Sequence, residues 1–369
     1  VARRLTLALP GDINTLTGGY LYDKHVSHEL ARQGWDVDIL SLDAGFPIVD
    51  DAVKQATVQR LAAVAPDRDL VIDGLALGAL GEHAQAIKLR RAFVALVHHP
   101  LALELGLAPD VAQKLHTSER VALGAASGVI VTSPTTSQTL IDQYGVAADQ
   151  IEVIEPGVDR PRVSPSASPS ALPHTSPPKP DLKDTNVPLK LLSVGAIVPR
   201  KGFDVLIQAL SQLADLPWTL DIVGDDQRAA ETVTQLTALI AQCGLTDRVQ
   251  LLGAQPREAL NHHYQQADVF VLASHYEGYG MAYAEALAWG LPTIGTNGGA
   301  SAQTLDTPAA RVVPTNDAPS LAMALRDLMT DERTRADMRA AALKHASALP
   351  TWSSVGERFA RALNRMRTP

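Results

Sequence analysis

The chain holds 369 residues, more than one hydrophobic core usually serves, so two domains of ordinary size are expected. Apolar residues at 46% and charged residues at 20% exclude a disordered, collagen-like or coiled-coil chain. The 32 basic against 40 acidic residues leave a formal charge of −8, which excludes a general nucleic-acid binder because there is no basic excess to neutralise phosphates.

In chain order, the first half alternates short aliphatic or β-branched runs with longer amphipathic ones. Leu5 to Leu9, Val37 to Leu40, Leu70 to Ile72, Phe93 to Val97, Val129 to Thr132 and Ile151 to Ile154 are predicted strands. Tyr20 to Gln33, Asp110 to Ala126 and Ser137 to Tyr144 are predicted helices, punctuated by Gly, Pro, Ser or Asp. Strict alternation implies parallel strands with crossovers, hence a doubly wound α/β sheet. The next stretch, Pro161 to Pro188, holds 8 of the 24 prolines and few apolar residues, which predicts an extended linker or excursion. The pattern then restarts, with strands at Leu191 to Val194, Leu220 to Val223, Val249 to Leu251, Val269 to Leu272, Thr293 to Ile294 and Arg311 to Val313. A helical tail follows at Leu321 to Met329, Glu332 to His345 and Ser353 to Met366. The expected organisation is a Rossmann-like domain over 1–160, the proline segment over 161–188, a second Rossmann-like domain over 189–350 and a closing helix over 351–369. A cleft between the carboxyl edges of the two sheets is the expected place for a ligand.

One cysteine, Cys243, excludes an internal disulfide and a cysteine-based zinc site. No apolar run is long enough to span a bilayer, and Val1-Ala2-Arg3-Arg4 enters a strand-like run at once, without an apolar leader. The expectation is a cytoplasmic protein with no transmembrane segment.

Chemistry-bearing motifs sit where predicted strands end. Gly18-Gly19 opens a helix after the first strand, where it serves either as a close-approach site for a phosphate or sugar hydroxyl, or as a plain loop and cap. His98-His99-Pro100 ends another strand; the histidine either touches a ligand and carries a proton, or caps the next segment. No third ligand at useful spacing accompanies the pair, so no metal site is expected. In the second half, Gly195 ends a strand and Pro199-Arg200-Lys201-Gly202 opens a helix, placing cations that either hold phosphates or form a solvated turn. The richest segment is Glu277-Gly278-Tyr279-Gly280-Met281-Ala282-Tyr283-Ala284-Glu285, a glycine turn at a helix N-terminus with two carboxylates addressing different parts of one ligand. Its partial Gly-x-Gly spacing also admits an NAD(P)-dependent oxidoreductase, but the first-strand fingerprint is absent.

In this frame, Glu277 and Glu285 with Glu-Ala-Leu-Ala-Trp-Gly-Leu-Pro, together with Gly18-Gly19, His98, Pro156-Gly157-Val158-Asp159 and Gly195…Lys201-Gly202, the chain resembles a retaining family 4 glycosyltransferase of the GT-B type. The resemblance implies two Rossmann-like domains facing a central cleft, with the last helix crossing back to the first domain. It also implies that the first domain takes the acceptor and the second a UDP-sugar, without metal or other cofactor. Position by position, it implies that Glu285 binds the ribose hydroxyls, Glu277 faces the transferred sugar, and the amides of Gly278, Tyr279, Gly280 and Met281 meet sugar or diphosphate. Lys201, at the turn after Gly195, would neutralise the departing diphosphate, His98 would touch the donor sugar, Gly19 would lie against the phosphates, and Leu252 and Gly253 would hold the base. Two departures stand out: Ala196 occupies a position where many relatives have arginine, so Arg200 becomes the candidate second cation, and Gly298 to Gln303 carries no acid.

Two other features are weighed against structural readings. Asp36-Val37-Asp38 spells the metal motif of another glycosyltransferase fold but lies at a strand start. Arg358, Arg361 and Arg365 form a helical stripe that reads as a solvated face or as a contact for anionic lipid. Residues 1–160 hold 13 basic and 20 acidic residues, which favours a small soluble acceptor over a lipid or polysaccharide at a membrane. The segments around Tyr20, Tyr22 and His98 are similar to a bacterial branch that includes pterin glucosyltransferases. Such an acceptor would stack on Tyr20 or Tyr22 and engage Asp23, His99 or Glu104. The expected reaction is hexose transfer, glucose first, from UDP-sugar to a small hydroxylated acceptor; a nucleotide-sugar sensor without turnover is a further alternative. Oligomeric state is left open.

Overall fold

The computed structural model describes residues 3–160 and 188–367. The expected proline excursion lies, apart from Pro188, outside the described residues. The chain divides into two compact units, Val1–Gly157 with Pro350–Pro369, and Val158–Leu349.

The first unit is built from β1 (Arg4–Pro10), α1 (Gly18–Arg32), β2 (Asp36–Leu42), α2 (Asp51–Ala62), β3 (Asp69–Asp73), α3 (Gly74–Leu80), α4 (Ala84–Lys88), β4 (Val94–Val97), α5 (Pro109–Leu123), β5 (Gly128–Val131), α6 (Pro134–Tyr144) and β6 (Ile151–Val153). Its six strands run in the order β2-β1-β3-β4-β5-β6. Every pairing is parallel. The central strands Val-Ala-Leu-Val and Gly-Val-Ile-Val are buried along their whole length, as a sheet covered by helices on both faces requires. Helix starts follow capping chemistry: Thr17, Asp50 and Ser133 accept backbone N–H groups at α1, α2 and α6. After β1 the chain places β2 on one side and β3 on the other, so the carboxyl ends of β1 and β3 border a crevice where crossovers diverge.

The second unit comprises β7 (Leu189–Val194), α7 (Phe203–Ser211), β8 (Trp218–Val223), α8 (Ala230–Gln242), β9 (Val249–Leu251), α9 (Arg257–Gln266), β10 (Val269–Val271), α10 (Met281–Ala288), β11 (Thr293–Thr296), α11 (Ser301–Thr304), β12 (Ala310–Val313), α12 (Ala318–Thr330) and α13 (Glu332–Ala346). Its parallel sheet has the order β12-β11-β10-β7-β8-β9, so the reversal falls between β7 and β10. Trp218, Leu220, Ile222, Val269, Phe270 and Leu287 form part of an almost wholly aliphatic and aromatic core.

The last helix, α14 (Trp352–Arg367), belongs to the first unit. It buries Trp352, Val355, Phe359, Ala362 and Leu363. Trp352 stacks on His25 with ring centroids 4.1 Å apart and meets Tyr22 edge-on. Gly356 permits the close approach to α1, since a Cβ there would lie 2.5 Å from the Cβ of Glu29. Of the arginine stripe, Arg358 donates to the Val153 carbonyl at 2.6 Å, while Arg365, paired with Glu152 at 2.5 Å, and Arg361 stay exposed. Asp36 sits at the amino end of β2, held by Arg4 at 3.1 Å and Arg68 at 2.8 Å, which gives the Asp-Val-Asp motif a structural role. Overpacking the α1–α14 contact by Gly356→Val is expected to destabilise the first unit by ~1–3 kcal/mol in chemical denaturation; an unchanged midpoint would show that the helices separate freely.

Candidate functional site

In the second unit, the chain leaving β7 forms Gly195 and then the turn Pro199–Lys201, which Gly202 closes with a φ of +61°. Only glycine fits at this position, because a Cβ would lie 2.1 Å from the Ala273 carbonyl oxygen on the neighbouring β10 exit. The turn therefore presents Arg200 and Lys201 to the segment that follows β10. There Glu277 is buried, with 7% of its surface exposed. Its Oε1 accepts from Lys201 Nζ at 2.6 Å and from Ser274 Oγ at 2.6 Å. Arg200 donates to the Tyr276 carbonyl at 2.7 Å and lies 3.4 Å from Glu277 Oε2. Burial by itself raises the pKa of such a carboxyl, but Lys201 and then Arg200 outweigh it and hold Glu277 at about 2. Glu277 is thus an anion at neutral pH. Arg200, expected as a substitute for the cation missing at Ala196, stands on the same carboxylate.

The backbone beyond Glu277 turns through Gly278 and Tyr279 into Gly280, whose φ of +95° opens α10. The Tyr279 side chain is buried and its carbonyl accepts from Thr304. Met281, first in α10, is partly buried against the core. Glu285, on the same helix, accepts from Arg257 at 3.0 Å and from the Tyr264 hydroxyl at 3.0 Å, one on each oxygen. Leu252 and Gly253 continue β9, where Leu252 donates to Ile222 and the Gly253 carbonyl accepts from Gly224.

In the first unit, three groups from different elements converge at the β1/β3 crevice. His98 follows β4, Asp73 ends β3 and Asp23 lies in α1. His98 Nε2 is 3.0 Å from Asp23 Oδ1 and 3.5 Å from Asp73 Oδ2, and both carboxylates are buried. Burial disfavours the imidazolium, but Asp23 and then Asp73 override it and raise the pKa of His98. Burial, with the nearby charge of Asp23, pushes Asp73 up to about 7. The His98 ring covers Gly19, where a Cβ would lie 3.1 Å from Cδ2. Gly19 therefore makes room for the histidine. Among the described residues, Asp23, Asp73 and His98 also offer ligand atoms within 4.8 Å of one another, so the further ligands that the sequence did not show beside the histidine pair come from other elements.

Two expected acceptor contacts are corrected. Tyr22 is fully buried, donates its hydroxyl to the Ile154 carbonyl at 3.0 Å and packs against His98 and Trp352, so its ring is not available for stacking on a ligand. Asp23 is likewise buried and faces His98. Tyr20 is half-buried, with its hydroxyl on the Pro10 carbonyl at 2.8 Å. His99 and Glu104 come together at 3.3 Å in the loop after β4. Sequence reasoning missed Asp73, Ser274, Arg257 and Tyr264. Asp73 carried only the signal of a helix cap, which it is, accepting from the Leu75 N–H at 2.8 Å. Ser274, three residues before Glu277, belongs to no motif, and Arg257 and Tyr264 carried no signal because their partner Glu285 lies 28 and 21 residues away.

The model for glycosyl transferases group 1 matches residues 179–345, and that for Glycosyltransferase Family 4 matches residues 22–162. The chain is 31% identical to a D-inositol 3-phosphate glycosyltransferase from Xylanimonas cellulosilytica, over 65% of this chain and 57% of that protein. It is 33% identical to mannosylfructose-phosphate synthase from Agrobacterium fabrum, over 46% of this chain and 37% of that protein. The chain thus spans little more than half the length of the inositol-phosphate relatives it matches. Sucrose-phosphate synthase from Thermosynechococcus elongatus superposes with a TM-score of 0.79 at 21% identity, over 98% of this chain and 99% of the other. HepE from Anabaena, solved with UDP-glucose, gives 0.72 at 19% identity over 98% and 100%. At such identity the likeness is one of fold: two parallel-sheet α/β domains, the GT-B architecture. Among the described residues, no helix is long and apolar enough to cross a membrane.

The raised pKa of Asp73 makes its proton part of the folded state. This contribution is present below about pH 4 and is lost as pH rises through about 7. Asp73→Asn, which stays neutral, is expected to gain thermal stability relative to the parent as pH is raised from 5 to 8. A difference in Tm that stays constant across that range would show that Asp73 does not hold the proton.

Proposed function

We propose that this chain, which belongs to the family 4 glycosyltransferases, moves a hexose, glucose first, from a UDP-sugar to a small hydroxylated acceptor with retention of configuration. The observation that carries this reading is the pair of cations, Lys201 and Arg200, fixed at the β7/β10 crevice beside the N-terminus of α10. Both cations are held at the strand ends by Glu277, and the helix N-terminus adds its partial positive charge beside them. As the bond between the anomeric carbon and the diphosphate breaks, its electron pair passes to the departing oxygen. Positive groups already in place stabilise that charge more than they stabilise the ground state. These cations, rather than a metal ion, are proposed to supply the field.

Lys201, Ser274 and Arg200 hold Glu277 at a pKa of about 2, so the carboxylate is only weakly basic and makes a poor covalent nucleophile. We therefore favour attack by the acceptor hydroxyl on the face from which the diphosphate leaves. The acceptor oxygen bonds to the anomeric carbon and its proton passes to the leaving phosphate oxygen. Glu277, as an anion with Oε2 only loosely engaged by Arg200, would accept hydrogen bonds from the sugar. Glu285 would take the ribose hydroxyls, the amides from Gly278 to Met281 the sugar or diphosphate, and Leu252 and Gly253 the base.

His98, Tyr20, His99 and Glu104 are proposed as the hydroxyl-binding groups of the first unit. With Tyr22 buried, Tyr20 is the one ring of the expected pair left for a pterin to stack on, and a polyol, which needs only hydroxyl partners, is the acceptor to try first. Relatives named for inositol phosphate and mannosylfructose phosphate support that choice, as does the acidic balance of residues 1–160.

Lys201→Ala, verified as folded, is expected to lower kcat by ~10²–10³-fold, and Glu285→Ala to raise KM for the donor. Full transfer by both variants from every nucleotide sugar tried would sink the proposal, as would thermal stabilisation of the parent by NADH but not by UDP.

A further inference from the structure

Glu285 is held in a chain of four side chains that crosses the second unit from its first residues to α10. Asp159 pairs with one terminal nitrogen of Arg257 at 3.1 Å, and the other terminal nitrogen donates to Glu285 Oε1 at 3.0 Å. The Tyr264 hydroxyl donates to Oε2 at 3.0 Å. Tyr264 is itself immobile: it is fully buried, with its ring parallel to Trp289 at 6.1 Å and stacked on Phe270 at 6.2 Å. Burial and the neighbouring Glu285 charge keep its hydroxyl protonated well beyond neutral pH, so it acts only as a donor towards the carboxylate.

An ionised carboxylate offers about four lone-pair positions. Arg257 and Tyr264 fill one on each oxygen. With one donor on each oxygen, acceptor capacity remains on both. A vicinal diol, with two hydroxyl donors on adjacent carbons, matches that pair of vacant acceptors. A single hydroxyl does not. A freely rotating glutamate would accept one or two hydroxyls in many poses and discriminate little between them.

We propose that Asp159, Arg257 and Tyr264 are positioning residues that lock the Glu285 carboxylate into a reader of the vicinal diol of the nucleotide ribose, making the site selective for ribonucleotide over deoxyribonucleotide donors. This rests on the reading that Glu285 takes the ribose. Arg257 acts through Glu285 and does not touch the ligand. Asp159 keeps the guanidinium from swinging away, which gives the Pro156-Gly157-Val158-Asp159 stretch a task beyond joining strands.

The test is binding alone and needs no acceptor. UDP, GDP and ADP are titrated calorimetrically against the full chain, and the tightest is compared with its 2′-deoxy counterpart. The parent is expected to prefer the ribonucleotide by roughly ten- to a hundredfold, the value of a hydrogen bond to a charged group. Arg257→Met and Tyr264→Phe, checked as folded by thermal melting, are expected to bring that preference to within about threefold, while affinity for the 2′-deoxy ligand changes little. Arg257→Lys, which restores the charge but not the two-pronged geometry, is expected to recover only part of it. Loss of the preference in Glu285→Ala but its retention in both Arg257→Met and Tyr264→Phe would overturn the positioning role and leave the ribose reading intact. Retention in Glu285→Ala would overturn the ribose reading and the positioning role with it, as would failure of the parent to bind any of the three nucleotides. An equal loss of affinity for both ribo and deoxy ligands in the Arg257 and Tyr264 variants would show a merely structural role.

Discussion

A carboxylate taken out of water must find its charge met within the fold, and Glu277 is such a carboxylate. Leaving it unpaired would cost several kcal/mol, so the second unit is arranged around the donors that reach it. Lys201 and Ser274 share one oxygen, and Arg200 approaches the other. To bring Lys201 there, the turn after β7 must close tightly against the exit of β10, and Gly202 allows this where any side chain would collide with the Ala273 carbonyl. The loop at Gly298-Gly299 obeys the same demand from the other side. Gly298 admits the His275 carbonyl at a distance no Cβ would tolerate, and the Glu277 carbonyl accepts from Ala300 at 2.8 Å. Gly202, Gly298 and Gly299 therefore provide clearance around the segment that carries Glu277.

Both constellations occupy equivalent places in their own sheets. In a parallel sheet all carboxyl ends lie on one edge, and only where the strand order reverses do the neighbouring crossovers leave to opposite faces. The reversal falls between β1 and β3 in one unit and between β7 and β10 in the other. Asp73 ends β3, and Asp23 lies in the helix that follows β1; Gly195 ends β7, and Glu277 follows β10. Topology thus supplies the crevice, and residue choice at four strand ends supplies the chemistry.

Much of this was legible in the residues because buried parallel strands read as short apolar runs. Val249 to Leu251 matches its strand residue for residue, and the other predicted strands shift by a residue or two at their ends. Helices were harder where the apolar stripe is weak or absent. α2 buries only Thr57 and Leu61, and α3, with sequence Gly-Leu-Ala-Leu-Gly-Ala-Leu, is buried nearly all round and shows no polar face to set its period. At the site, Glu277, Lys201 and His98 announced themselves by motif and strand end. Arg257 and Tyr264 did not, because their meaning lies in a contact with Glu285 that is 28 and 21 residues away. Tyr22 misled for the opposite reason. A tyrosine at a helix start beside two glycines looks like a ligand platform, yet the three-dimensional partners of its ring are Trp352 and His98, one of them from the far end of the chain.

The two constellations meet the burial of charge in different ways. In the second unit two cations, Lys201 and Arg200, are drawn to one buried carboxylate, and their attraction holds Glu277 ionised. In the first unit two buried carboxylates attend one imidazole. They cannot all be ionised at low cost, and the surplus is relieved by a proton, which the raised pKa of Asp73 places near neutrality. With that proton held, the buried cluster carries less charge than its three ionisable groups could. Glu277 is thus met by cations and Asp73 by a proton, two answers to the same cost of burying charge at a strand end.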